Sequence, residues 1–300
     1  MLDTNTTNTE IPEGQFALDT QSQHALGNLC DDLMELQVRR RALISDIGDH
    51  ERRLKGLARR LMGWRFDAPD AERKRINEDA ATAVKTMLAG KALDDIELVA
   101  LADATGLSDE VSVRRESLSP LLAQRKAVER DMEMLASQTP GADFASATRG
   151  FAMRGLAVLI GEAGNLSDYP NPAKLWKRLG LAPYNGRAGS TWRTMKGGLK
   201  AEEWSEMGYS PSRLGQIYGV ITVPLGNGNR DGKYRSLYLH EKARFIAEGK
   251  SERPMHAHLH AQRVMTKELV LDLWRAWRGM PPRVRESVMA DDHHKGEAAA

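Results

Sequence analysis

Leu26–Leu61 reads LGNLCDDLMELQVRRRALISDIGDHERRLKGLARRL. Positions 26, 29, 33, 36, 40, 43, 47, 50, 54, 57 and 61 step alternately by three and four, and nine of these eleven are Leu or Ile. Arg40 and His50 are the exceptions. Such a repeat draws one apolar stripe along a helix and predicts a coiled-coil element. The runs Arg39-Arg40-Arg41 and Arg52-Arg53 read as its solvated face. A shorter seam with the same rhythm follows at Leu118, Leu121, Arg125, Val128, Met132 and Leu135. Two such helices joined by a spacer can fold back as an antiparallel pair or pair across a dimer. The spacer, about 65–110, has its own helical pattern in KTMLAGKALDDIELVALADATG and predicts small packed helices.

Outward from this core the expected organisation is mainly α. A polar, Thr/Asn-rich tail occupies residues 1–20 and is expected to be disordered. The coiled-coil hairpin with its insert spans 21–140, where Gln138-Thr139-Pro140-Gly141 punctuates the chain. A compact helical domain is expected at 141–279 and a polar tail at 280–300. In that domain Asp168 or Asn171 can cap a helix that has Pro172 in its first turn, and another helix starts near Ser210-Pro211. Strand signals are almost absent.

Composition narrows the function classes. The 300 residues are 41% hydrophobic and 28% charged, with a net charge of +2, which fits a foldable, soluble chain. Cys30 is the one cysteine, so there is no disulfide framework and no cysteine-based zinc site. A reducing, cytoplasmic setting is expected. Met1–Gln15 lacks the apolar core of a secretion signal, and no apolar run approaches the length that spans a membrane.

The near-neutral total conceals one concentrated patch. Lys174–Lys200, KLWKRLGLAPYNGRAGSTWRTMKGGLK, holds seven Lys or Arg, five Gly and no Asp or Glu. Distribution of charge, rather than its sum, marks a surface for polyanions. The candidate nucleic-acid-binding residues here are Lys174, Lys177, Arg178, Arg187, Thr191, Trp192, Arg193, Lys196 and Lys200. Arg213, with Tyr218 beside it, and Lys233 and Arg235 extend the set. Trp176 reads as core, whereas Trp192, inside the glycine-rich loop, reads as a platform for a base. His256, His258 and His260 lack adjacent carboxylates and read as ordinary core or solvent histidines. No metal or cofactor is expected.

The order of elements from about Leu118 to Gly279 resembles the C-terminal half of the serine-dependent insertion-sequence transposases, the bridge-RNA-guided recombinases. LIGEAGNLSDYP, AKLWKRLGLAP, FIAEGK and QRVMTKELVLDLW match that family's order and spacing over roughly half the chain. The resemblance implies a helical, nucleic-acid-binding domain from a mobile element or prophage. It also implies a serine nucleophile, and Ser190 in Gly189-Ser190-Thr191 stands at the matching place. The family's N-terminal metal-binding domain has no counterpart here, since Asp31, Asp32, Asp46 and Asp49 fall on expected helix faces. Its Gly-Ile-Gly hairpin is reduced to Arg149-Gly150-Phe151.

A serine that attacks a phosphodiester needs cationic donors around the transition state and a route for its proton. Arg187, Arg193 and Lys196 lie within six residues of Ser190, and Gly186 and Gly189 permit close approach to a phosphate. A passive phosphate-binding loop uses the same residues. The expectation is therefore a binding protein for DNA or a structured noncoding RNA, not catalytic by itself, that self-associates through the coiled coil. The alternatives are an active strand-transfer enzyme using Ser190, and an interaction protein whose working part is the coiled coil.

Overall fold

The computed structural model describes residues 19–89, 91, 93, 96–183, 200–208, 210–228, 232–250 and 254–281. The tails expected at 1–20 and 280–300 lie mostly outside that set. The protein is mainly α-helical, with no strand among the described residues. The first helices are α1 (Thr20–Leu61), α2 (Asp70–Leu88), α3 (Ile96–Ala104) and α4 (Leu107–Ala136). Next come α5 (Ala142–Ala147), α6 (Ala152–Ala163), a 3₁₀ turn (Leu166–Asp168) and α7 (Pro172–Arg178). After them lie α8 (Ala201–Met207), α9 (Pro211–Ile217), a π-helical turn (Tyr218–Thr222), α10 (Val223–Gly228), α11 (Lys233–Ala247) and α12 (Pro254–Ala276). The chain divides into two compact units: Val38–Asp131, and the chain up to Gln37 together with the chain from Met132. Both divisions fall inside long helices, α1 and α4.

In the unit Val38–Asp131, Leu54, Ala58, Ala80, Ala83, Val84, Ala102, Leu107 and Val111 form the core. Asp70 and Glu72 in the first turn of α2 complement the positive end of that helix. Arg40 on α1 meets Glu129 on α4 at 2.9 Å, both side chains being almost fully buried. Ile47, Glu51 and Lys55 share a cavity with Arg115, Leu118 and Leu122. Numbering thus rises along α1 as it falls along α4, so within this unit the two helices run antiparallel. Arg40, which interrupts the apolar repeat, is buried because Glu129 answers its charge. The buried stripe of α1 also includes Ala58, while Leu57 and Leu61 are half-buried. A helix of 3.6 residues per turn drifts off a 3.5-residue repeat in this way.

The other unit is built around α6 and α12. Gly155–Ile160 of α6 is buried on every side. Each large apolar side chain in such a run contributes about 1.5–3 kcal/mol by leaving water. A Cβ at Gly161 would lie 2.5 Å from Gln37 Cβ and 3.0 Å from the Leu33 carbonyl oxygen, so glycine is what lets α6 reach α1. In α12, Met265, Thr266 and Glu268–Trp274 are all buried, and α11 packs along it. The carboxylates in that buried run are compensated. Lys233 Nζ stands 2.6 Å from Asp272 Oδ2 and 3.7 Å from Glu268 Oε1. The Tyr234 hydroxyl donates to Asp272 at 2.9 Å. Burial, then the Asp272 charge, pushes the Tyr234 phenol well above its ordinary pKa, so it stays a donor.

Cys30 on α1 is 1% exposed. Burial, then the charges of Asp168 and Asp31, pushes its thiol pKa up to about 12. At neutral pH it is a small apolar side chain rather than a nucleophile.

Replacing Glu129 by Ala should strand the Arg40 charge and lower stability by about 3–5 kcal/mol in denaturant titration. The double variant Arg40→Leu, Glu129→Leu should recover most of that loss, because an apolar pair removes the desolvation cost from both sides.

Candidate nucleic-acid interface

The basic stretch begins on α7, a short helix with strong local signals. Asn171 caps it by accepting a hydrogen bond from the Lys174 amide at 3.1 Å, and Pro172 sits in its first turn. A seven-residue helix is too short to stand alone, so its position must come from tertiary contacts. The C-terminal end of α12 supplies one set, through the turn just before α7. Trp274 Nε1 donates to the Tyr169 carbonyl at 2.8 Å, and Trp277 Nε1 to Ser167 Oγ at 3.1 Å. Arg278 donates to the carbonyls of Leu166, Ser167 and Tyr169 at 2.9–3.1 Å while its guanidinium lies 4.0 Å over the Trp274 ring. The two Trp and the second Arg of WRAWRG therefore clamp one turn of backbone.

Trp176 completes that side. Its Nε1 donates to the Lys267 carbonyl at 3.1 Å, and the Lys267 ammonium lies 5.2 Å over its ring. Burial, with the nearby Arg263 charge second, lowers the Lys267 pKa. Trp176 is thus packed on α12, not offered to a base. Lys267 and Arg263 were not among the residues picked out from the sequence. Their only signal in the sequence was a pair of cations one turn apart on a helix of mixed polarity.

A buried carboxylate holds the opposite side. Glu162, 3% exposed, accepts from Gln37 Nε2 at 2.8 Å and lies 3.5 Å from Arg213 Nε. Arg178 Nε donates to the Glu162 carbonyl at 3.2 Å, and Arg213 Nη1 donates to the Arg178 carbonyl at 3.0 Å. Ser210 caps α9 by accepting from the Arg213 amide, which fixes where that guanidinium starts. Carboxylate, amide and two guanidinium groups thus join α1, α6, α7 and α9.

The candidate cations accordingly fall into different settings. Lys174, Lys177 and Lys200 are exposed, and none of the three forms an ion pair among the described residues. Arg178 and Arg213 face inward, onto carbonyl oxygens and Glu162. Lys233 is engaged by Asp272 and Glu268. Arg235 stacks on Tyr238, 4.9 Å from guanidinium carbon to ring centre. Arg187, Ser190, Thr191, Trp192, Arg193 and Lys196 lie outside the described residues. His258 Nδ1 is 2.7 Å from the Tyr238 hydroxyl, and His260 stacks on Phe245 at 4.4 Å. Among the described residues, no group of three or more His, Cys, Asp or Glu is placed to hold a metal ion. No helix among them is long and apolar enough to cross a membrane.

This division of labour has a direct readout. Arg213→Ala should cost about 3 kcal/mol of stability, since it removes a partner of buried Glu162 and donors to backbone carbonyls. Lys177→Ala should stay within about 0.5 kcal/mol of the parent in the same thermal or denaturant titration. No family model, curated protein or solved structure matches this chain.

Proposed function

We propose that the chain binds DNA or structured RNA through the surface that starts on α7, and that it derives from an insertion-sequence transposase. One observation carries this reading. Lys174–Lys200 holds seven cations and no carboxylate, and the three described lysines in it that project outward, Lys174, Lys177 and Lys200, are not neutralised by an ion pair among the described residues. Arg178 and Arg213, by contrast, are turned inward onto backbone carbonyls. Like charges left side by side in water are a cost that a polyanion relieves by releasing its own counterions. Arg187, Arg193 and Lys196 supply the remaining phosphate contacts in this proposal.

Binding should therefore be salt-dependent. With four to six phosphates neutralised, log K should fall against log salt with a slope of roughly −4 to −5 in fluorescence anisotropy titrations. Substituting Arg187, Arg193 and Lys196 together by Ala should flatten that slope. Association that ignores salt, or none with any duplex or hairpin, would sink the proposal and leave an interaction protein in its place.

A second reading rests on Ser190, which stands between Arg187 and Arg193 in a glycine-containing stretch of the sequence. As a phosphate ligand, Ser190 donates one hydrogen bond of about 1 kcal/mol, so Ser190→Ala should weaken binding about fivefold to tenfold. As a nucleophile it would form a phosphodiester to DNA, displacing a strand end, and the Ala variant would bind normally but form no adduct. A denaturing gel of labelled DNA incubated with the chain, with and without Mg²⁺, separates the two. The expected result is no covalent adduct from this chain alone.

A further inference from the structure

The unit Val38–Asp131 contains a cavity that its helix packing leaves open. It encloses about 480 Å³ between the second half of α1, the last turns of α2 and the part of α4 around Leu118. That volume falls among small-molecule pockets, which run from about 300 to 1,000 Å³. The walls are aliphatic, formed by Ile47, Val84, Leu88, Leu118 and Leu122. Val84 belongs to the core of the unit and Leu88 packs against it, so the apolar wall continues into that core. Leu122 is 37% exposed, a large apolar side chain left partly in water.

Its polar lining is charged and unbalanced, with three cations to one carboxylate. Lys55 Nζ stands 3.7 Å from Glu51 Oε2, so those two groups answer each other. Lys85 and Arg115 are exposed and form no ion pair among the described residues. Lys85 also complements the carbonyl end of α2. Arg115 lies inside α4, away from its ends, so the same account does not cover it. An apolar body in the cavity would cover Leu122 and take water off the aliphatic walls. An anionic group at the mouth would meet two accessible cations without breaking an ion pair. A nucleobase is a poor fit, because among the described residues no aromatic ring and no uncharged hydrogen-bonding side chain lines the cavity.

We propose that this cavity binds an aliphatic monoanion, with its chain against Leu118 and Leu122 and its charged group paired with Lys85 and Arg115. A free fatty acid carboxylate is the simplest such molecule. The site belongs to the unit that does not contain α7, and it does not rest on the nucleic-acid reading.

The test is isothermal titration calorimetry of the full chain with octanoate, decanoate and dodecanoate, each below its micelle concentration. One molecule should bind per chain, saturably, and affinity should rise about threefold to fourfold with each added methylene. Decanol, which has the same chain length without the charge, should bind about fivefold more weakly than decanoate. The double variant Lys85→Gln, Arg115→Gln should weaken decanoate about fivefold and leave decanol unchanged. Leu122→Glu, which sets a carboxylate on the apolar wall, should weaken decanoate by at least as much. All three substituted residues are exposed, and thermal melting identifies any variant that fails to fold. The chain-length series and the decanol comparison use the unaltered protein, so they decide the question even then. No saturable binding, equal affinity for decanol and decanoate, or decanoate affinity unchanged in folded variants would each overturn the assignment.

Discussion

Glu162 is the point on which the unit containing α6 and α12 depends. It follows the buried, apolar run Gly155–Ile160 of α6, where an unanswered carboxylate would be driven to protonate or to unfold its surroundings. It is answered by Gln37 from α1 and Arg213 from α9, and its own backbone carbonyl receives Arg178 from α7. Apolar contacts between these helices could be satisfied in several registers. A carboxylate that must meet an amide and a guanidinium at fixed heights tolerates far fewer. Gly161, one residue earlier, allows the close approach of α6 to Gln37 that this geometry needs.

Much of the fold could be read from residue patterns alone. The Leu/Ile rhythm of α1 and the seam of α4 marked two long helices, and Asn171-Pro172 and Ser210-Pro211 marked two helix starts that the side-chain caps now explain. Other features were hidden because they depend on residues distant in sequence. Arg40 looked like a break in the stripe until Glu129 was seen beside it. Arg178 and Lys177 are neighbours of the same charge, and nothing local says that one turns toward the Glu162 carbonyl while the other faces water. Lys233 likewise resembled a free cation until α12 brought Asp272 and Glu268 to it. Counting cations along a sequence overstates a binding surface by those already spent on buried anions.

The same sorting connects stability to the proposed activity. The inward arginines and the clamp made by Trp274, Trp277 and Arg278 hold α7 from two sides. Its outward lysines are then carried on a helix with little freedom of its own. Ordering long side chains on a fixed support costs less on binding than ordering support and side chains together. The π-helical turn after α9 belongs to this same frame, since its Thr222 meets Thr266 of α12 and α12 also anchors Trp176.

Cys30 has a practical consequence of another kind. As the sole thiol of the chain, sealed inside the fold, it leaves the native surface silent toward maleimides and disulfide reagents. A cysteine placed in the position of Lys177 could therefore carry a fluorophore or spin label at a single defined site without any background substitution. Once the chain opens, Cys30 itself becomes reactive. Each molecule thus contains a chemical clock for its own opening, read as the rate at which a thiol reagent consumes that one sulfur under native conditions.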